Sequence, residues 1–132
     1  MEQSPALPKN AERLAIVRLA RDSAIELILT FILLFGVTTI VRWVIGPSPI
    51  SRAAPGIHAE LWIVGAAVAL LLAGLILTPL GRTSGAHTNP AISLAMWRFG
   101  VFPGAGVIPY SIAQLGAWGH GSLGSPISRQ VK

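Results

Sequence analysis

Residues 61–81 and 99–128 contain no Asp, Glu, Lys or Arg, and between Asp22 and Arg42 the one charged residue is Glu26. Apolar runs of this length leave few folds open. A helix needs about 20 mainly apolar residues to cross a hydrocarbon core about 30 Å thick. The runs therefore predict three spanning helices, at 23–45, 60–80 and 101–118. A core helix of a soluble bundle keeps a polar stripe, whereas residues 61–73 are apolar on every face. Only 11% of the 132 residues are charged, against about 25% in an average soluble domain. That excludes an acidic disordered chain and an ordinary soluble enzyme, and leaves an all-α membrane protein. The first run is long and no small-residue cleavage site follows it, which argues against a cleaved signal peptide.

The chemistry a catalyst would need is missing. There is no cysteine, hence no disulfide, thiolate metal site or cysteine nucleophile. The 3 histidines and 5 acidic residues form neither a ligand cluster nor a nucleophile–base pair in the sequence. The expectation is a protein that is not an enzyme, with no metal and no cofactor. Residues 119–124 match GxGxxG literally, but no strand precedes them, so a nucleotide site is discarded.

The net charge of +5 reads as membrane anchoring rather than a nucleic-acid patch. Lys9, Arg13, Arg18 and Arg21 precede the first span, Arg42 and Arg52 follow it, and Arg82 and Arg98 return to the first side. Basic residues favour the cytoplasmic side, so the reading is a multi-pass cell-membrane protein with a cytoplasmic N-terminus. Trp43, Trp62 and Trp118 fall near one interface and Trp97 near the other. Residues 1–22 form an N-terminal tail, of which 11–21 extend the first helix. Residues 119–132, rich in Gly and Ser with a basic end, form a flexible tail.

The stretch 82–98 does not fit a simple bundle. Asn89 followed by Pro90 is a strong helix start, because Asn caps well and Pro at the first helical position gives up only an amide that would be unpaired anyway. A helix over 90–99 would be about 15 Å long, half a membrane. The residues leave two readings open. One is a re-entrant loop whose helix begins near mid-bilayer, preceded by extended backbone that must be buried in protein or line a hydrated cavity. The other is an amphipathic helix lying in the interface.

The sequence Ser84-Gly85-Ala86-His87-Thr88-Asn89-Pro90-Ala91-Ile92-Ser93-Leu94-Ala95 resembles the first signature box of the aquaporins, the major intrinsic protein family of water and glycerol channels. Glu26, Thr30, Phe31, Phe35 and Gly36 resemble the family's first helix. Tyr110 and Ala113-Gln114-Leu115-Gly116-Ala117 resemble its third. The resemblance covers about residues 24–117 and implies an aquaporin-like half-repeat over 23–118, with three transmembrane helices and one re-entrant half-helix. It implies that Asn89 is the central pore donor, that Pro90 and Ala91 form the tip contact, and that Gly85, Ala86 and His87 present a ladder of carbonyls. Glu26 would be the buried carboxylate that supports the loop. From the residues alone, Glu26 either finds a partner inside the span or snorkels to water.

The implied function is passive transport of water or small neutral solutes such as glycerol. The implied partners are the lipid bilayer, the solute and further copies of the chain, tetramers being the family pattern. The family has two inverted halves and this chain carries one, which leads to the expectation of a truncated or frame-shifted channel whose tail after Ala117 is not family sequence, and leaves open whether one half conducts alone. The competing readings are a membrane scaffold or assembly subunit without a pore, and a small dual-topology transporter.

Overall fold

The computed structural model describes residues 8–53 and 56–123. Their regular structure is helical throughout: α1 (Lys9–Val44), α2 (Pro49–Ala53), α3 (Ile57–Leu77), α4 (Pro79–Ser84), α5 (Pro90–Arg98) and α6 (Gly104–Leu123). Among these, α1 and α3 are each long and apolar enough to cross a membrane. The third predicted span, α6, has 20 residues and carries Pro109, Tyr110 and Gln114 within it.

α1 is unbroken over 36 residues, about 54 Å at 1.5 Å per residue. The extension of the first helix expected over 11–21 is present and runs from Lys9, so that residues 9–22 are continuous with the first span. Pro8 opens the helix, its carbonyl accepting from Ala11 N at 2.8 Å and Glu12 N at 3.2 Å.

The second span stops at Leu77, three residues before the predicted 80, and a helix absent from the sequence reading follows it. Hydropathy does not change there; Pro79 causes the stop. Its ring disfavours a helical conformation at the residue before it, and Thr78 is extended at φ −64°, ψ 156°. Thr78 Oγ1 donates to Leu75 O at 2.6 Å and accepts from Gly81 N at 3.0 Å, closing α3 and capping α4 with one side chain. The corner is tight. A Cβ on buried Gly81 would lie 2.1 Å from Leu75 O.

α5 begins at Pro90 as expected and ends at Arg98, one residue short of 99. Gly100, at φ 74°, then turns the chain, and Pro103 delays α6 to Gly104 rather than 101. At its far end α6 continues through Leu123, past the predicted break at 118. Glycine in a helix costs about 1 kcal/mol but keeps its amide, so the glycines after Trp118 lower helix propensity without removing a hydrogen bond. The remainder of the predicted tail, 124–132, lies outside the described residues, as does 1–7.

α1 is the hub, packing on α6, α3 and α4, while α5 packs on α6. Ile25, Leu29, Leu75 and Ala86 form the core, with Leu33 and Leu71 against it. α1 and α3 meet closely at Gly36, where a Cβ would lie 2.5 Å from Leu71 Cδ2. The outer surface is apolar. Trp62 is 81% exposed, Leu70 75% and Ile108 70%, and α3 buries only Leu75. Apolar exposure on this scale marks a surface that meets lipid or protein rather than water.

Candidate functional site

The 85–88 segment lies between α4 and α5 and is the irregular backbone around which the helices assemble. Gly85 closes α4 in the left-handed region at φ 94°. Ala86 and Thr88 also have positive φ, 47° and 49°. Such conformations cost an L-residue about 1–3 kcal/mol each and persist only where the surroundings enforce them.

Here the enforcing group is Glu26. It is 0% exposed, one turn into the apolar part of α1. Its Oε1 accepts from Ser84 Oγ at 2.8 Å and from His87 N at 3.0 Å. Its Oε2 accepts from Thr88 N at 2.7 Å and from Gln114 Nε2 at 2.9 Å. One carboxylate thus satisfies two buried backbone amides of the loop and ties together α1, α4, the loop and α6. A buried carboxylate is tolerated only when its lone pairs are met in this way. The snorkelling alternative for Glu26 does not describe this geometry.

Further bonds set the loop from outside. Tyr110 donates its hydroxyl to Ser84 O at 2.8 Å, and Ser84 Oγ accepts from Ala86 N at 3.2 Å. The His87 ring stands edge-on to Phe102 and Tyr110, with centroids 4.7 and 5.4 Å away. His87 Nδ1 is 3.0 Å from Ser93 Oγ, which also accepts from Gln114 Nε2 at 3.3 Å.

Asn89 caps α5. Its backbone is extended at φ −151°, and its Oδ1 accepts from Ala91 N at 2.9 Å. Its side chain is exposed, unlike the three residues before it. Asn89 lines a cleft of about 420 Å³ together with Ala86, His87, Leu33, Leu72 and Ile76.

The residues singled out from sequence thus fall into two neighbouring groups. Gly85, Ala86 and His87 lie in the loop held by Glu26, whereas Asn89, Pro90 and Ala91 form the helix start and make no bond to Glu26. The sequence reading gave no role to Ser84, Ser93, Tyr110 or Gln114. Gln114 carried a usable signal, since a polar side chain in a charge-free run needs a partner. Among the described residues no group of three His, Cys, Asp or Glu is placed to hold a metal. The arrangement positions backbone; it holds neither an activated nucleophile nor an acid–base pair.

The capped half-length helix, its irregular lead-in and the carboxylate buried in the first long helix position backbone, and sequence comparison places the chain in a family of membrane channels. The chain belongs to the Major intrinsic protein (MIP) family, whose sequence pattern matches residues 13–123. Members are membrane channels, not enzymes. The chain is 38% identical over 114 residues to the probable aquaporin AqpM of Archaeoglobus fulgidus, covering 80% of this chain and 46% of that protein. It is 34% identical over 96 residues to Aquaporin Z of Photorhabdus laumondii, covering 72% and 38%. It is 42% identical over 73 residues to the glycerol uptake facilitator protein of Haemophilus influenzae, covering 54% and 25%. The chain therefore spans less than half the length of these relatives. No solved structure matches it.

Proposed function

We propose that the chain lines a pore for passive transport of water or small neutral solutes such as glycerol. In this reading α1, α3 and α6 cross the bilayer, the N-terminus is cytoplasmic, and α5 re-enters from one side with its start near mid-membrane. Gly85, Ala86 and His87 offer carbonyl acceptors along the path. Asn89 spends its Oδ1 on capping, which leaves its amide hydrogens as donors to the passing solute. The positive end of α5 lies beside it and opposes cations. Pro90 and Ala91 form the tip that meets a facing half-helix, and copies of the chain assemble as a homo-oligomer.

The observation that carries this reading is the clamp on Glu26. Irregular backbone within a membrane survives only when buried in protein or lining water. The four bonds to Glu26 fit the first condition on one side of the loop, and the cleft at Asn89 fits the second on the other. The test is osmotic shrinkage of proteoliposomes in a stopped-flow instrument, with water and glycerol gradients. Wild-type vesicles should shrink faster than empty ones with a weak temperature dependence, and Asn89→Asp should change the rate. Wild-type flux equal to that of empty vesicles, or an Asn89→Asp rate identical to wild type, would overturn the proposal. Tagging both termini for sidedness tests orientation.

A further inference from the structure

Ser93 of α5 meets the ring of His87 from the loop, and the direction of every hydrogen bond between them and Glu26 can be worked out. Glu26 anchors the assignment. Its Oε2 faces Gln114 across 2.9 Å, and an ionised carboxylate only accepts, so the Gln114 amide must present NH₂ rather than its oxygen. The same Nε2 reaches Ser93 Oγ at 3.3 Å, so Ser93 is an acceptor there. The Ser93 proton then needs an acceptor of its own. Ser93 is 0% exposed, and the remaining partner of its hydroxyl among the described residues is His87 Nδ1 at 3.0 Å.

If Nδ1 carried the imidazole proton, Ser93 would accept twice and bury its own proton unpaired, a cost that native interiors avoid. A doubly protonated ring meets the same obstacle. We infer that Ser93 is a positioning residue that holds His87 as the neutral Nε2–H tautomer. The donor edge of the ring then lies beside Gly85, where a Cβ would stand 3.1 Å from Nε2. The titratable groups facing the ring are Glu26, through the loop, and Tyr110. Glu26 is fully occupied by its four donors, and the Tyr110 proton is given to Ser84 O.

The consequence for transport rests on the pore reading; the tautomer does not. An imidazole relays a proton by taking it at one nitrogen and releasing it at the other. The Ser93 hydroxyl could hand Nδ1 a proton only if it were itself resupplied, and the group behind it is the Gln114 amide at 3.3 Å, which does not give up a proton. The one histidine of the loop is thereby kept from serving as a relay.

The test is nitrogen-15 magnetic resonance on the full chain in lipid, with labelled histidine in a His58→Gln, His120→Gln background that leaves His87 as the single imidazole. The expected spectrum has Nδ1 as the unprotonated, pyridine-like nitrogen and Nε2 as the protonated one. Ser93→Ala should abolish that single state, giving a tautomer mixture or a protonated Nδ1, and Ser93→Thr should restore it. A wild-type spectrum with Nδ1 protonated would overturn the inference, and so would an unchanged tautomer in Ser93→Ala. The wild-type spectrum decides even where a variant misfolds. Because no flux is read, failure of the pore proposal and failure of this one are separately visible.

Discussion

Gln114 Nε2 stands 2.9 Å from Glu26 Oε2, joining two residues 88 positions apart in the chain across the α1–α6 contact. Of the four donors to Glu26 it is the one from α6, so this bond couples the loop to the third long helix. Removing the charge while keeping the shape should expose that dependence. Glu26→Gln places an amide NH₂ against at least one of Ser84 Oγ, His87 N, Thr88 N or Gln114 Nε2. A buried donor left unpaired costs about 1–3 kcal/mol. The expected result is a clear fall in thermal unfolding temperature in detergent, with Gln114→Ala less damaging because it removes a donor and leaves the loop amides paired.

Tyr110→Phe removes the hydroxyl that reaches Ser84 O at 2.8 Å but keeps the ring against His87 and Phe102. The loss should be about 0.5–1.5 kcal/mol, the net worth of one neutral hydrogen bond. Tyr110→Ala should cost about 3–5 kcal/mol, as for other large buried aromatics. Measuring both in one denaturation series separates the hydroxyl from the ring, and equal losses would refute the division.

At Gly36 the obstruction to a side chain is Leu71 Cδ2, the far end of a flexible group. Gly36→Ala is therefore expected to be mild, since Leu71 can turn aside. Gly36→Ile should separate α1 from α3 and cost about 1–3 kcal/mol by overpacking. Leu71→Ala added to Gly36→Ile should recover part of the loss, and the double-mutant cycle reads the coupling directly.

Gly81 is the opposite case, because a Cβ there would meet the backbone oxygens of Leu75 and Ile76 at 2.1 and 2.9 Å. Backbone cannot turn aside. Gly81→Ala should destabilise more than Gly36→Ala in the same assay. Thr78→Ala, which deletes the cap on Gly81 N, should cost about 1 kcal/mol. A Gly81→Ala protein as stable as wild type would show the α3–α4 corner to be looser than described.

How much of this was legible in the sequence follows from what each signal encodes. Asn89-Pro90 marks a helix start through local backbone chemistry, and α5 begins there. The long runs of α1 and α3 are legible because hydropathy reports solvent, and lipid accepts an apolar face in any direction. The break at Thr78 was not read, because the residues around it stay apolar; Pro79 acts on the backbone without altering composition. The start of α6 was misplaced by three residues for the same reason at Pro103. The need of Glu26 for a partner was visible, but the identity of its donors was not. Ser84, His87, Thr88 and Gln114 are brought to it by the crossing of helices, and a pattern along one chain does not encode which side chains meet across 58 to 88 positions.

The unbroken length of α1 has a mechanical consequence. Only about 30 Å of helix is needed to cross the hydrocarbon, and α1 is about 54 Å long. Its first turns therefore form a stiff arm rigidly joined to the residue that fastens the loop, with Lys9 lying about 26 Å along the axis from Glu26. A small rocking of α1 about Glu26 becomes a swing of several ångströms at Lys9, so a spectroscopic tag at that end serves as a pointer that magnifies motion at the clamp.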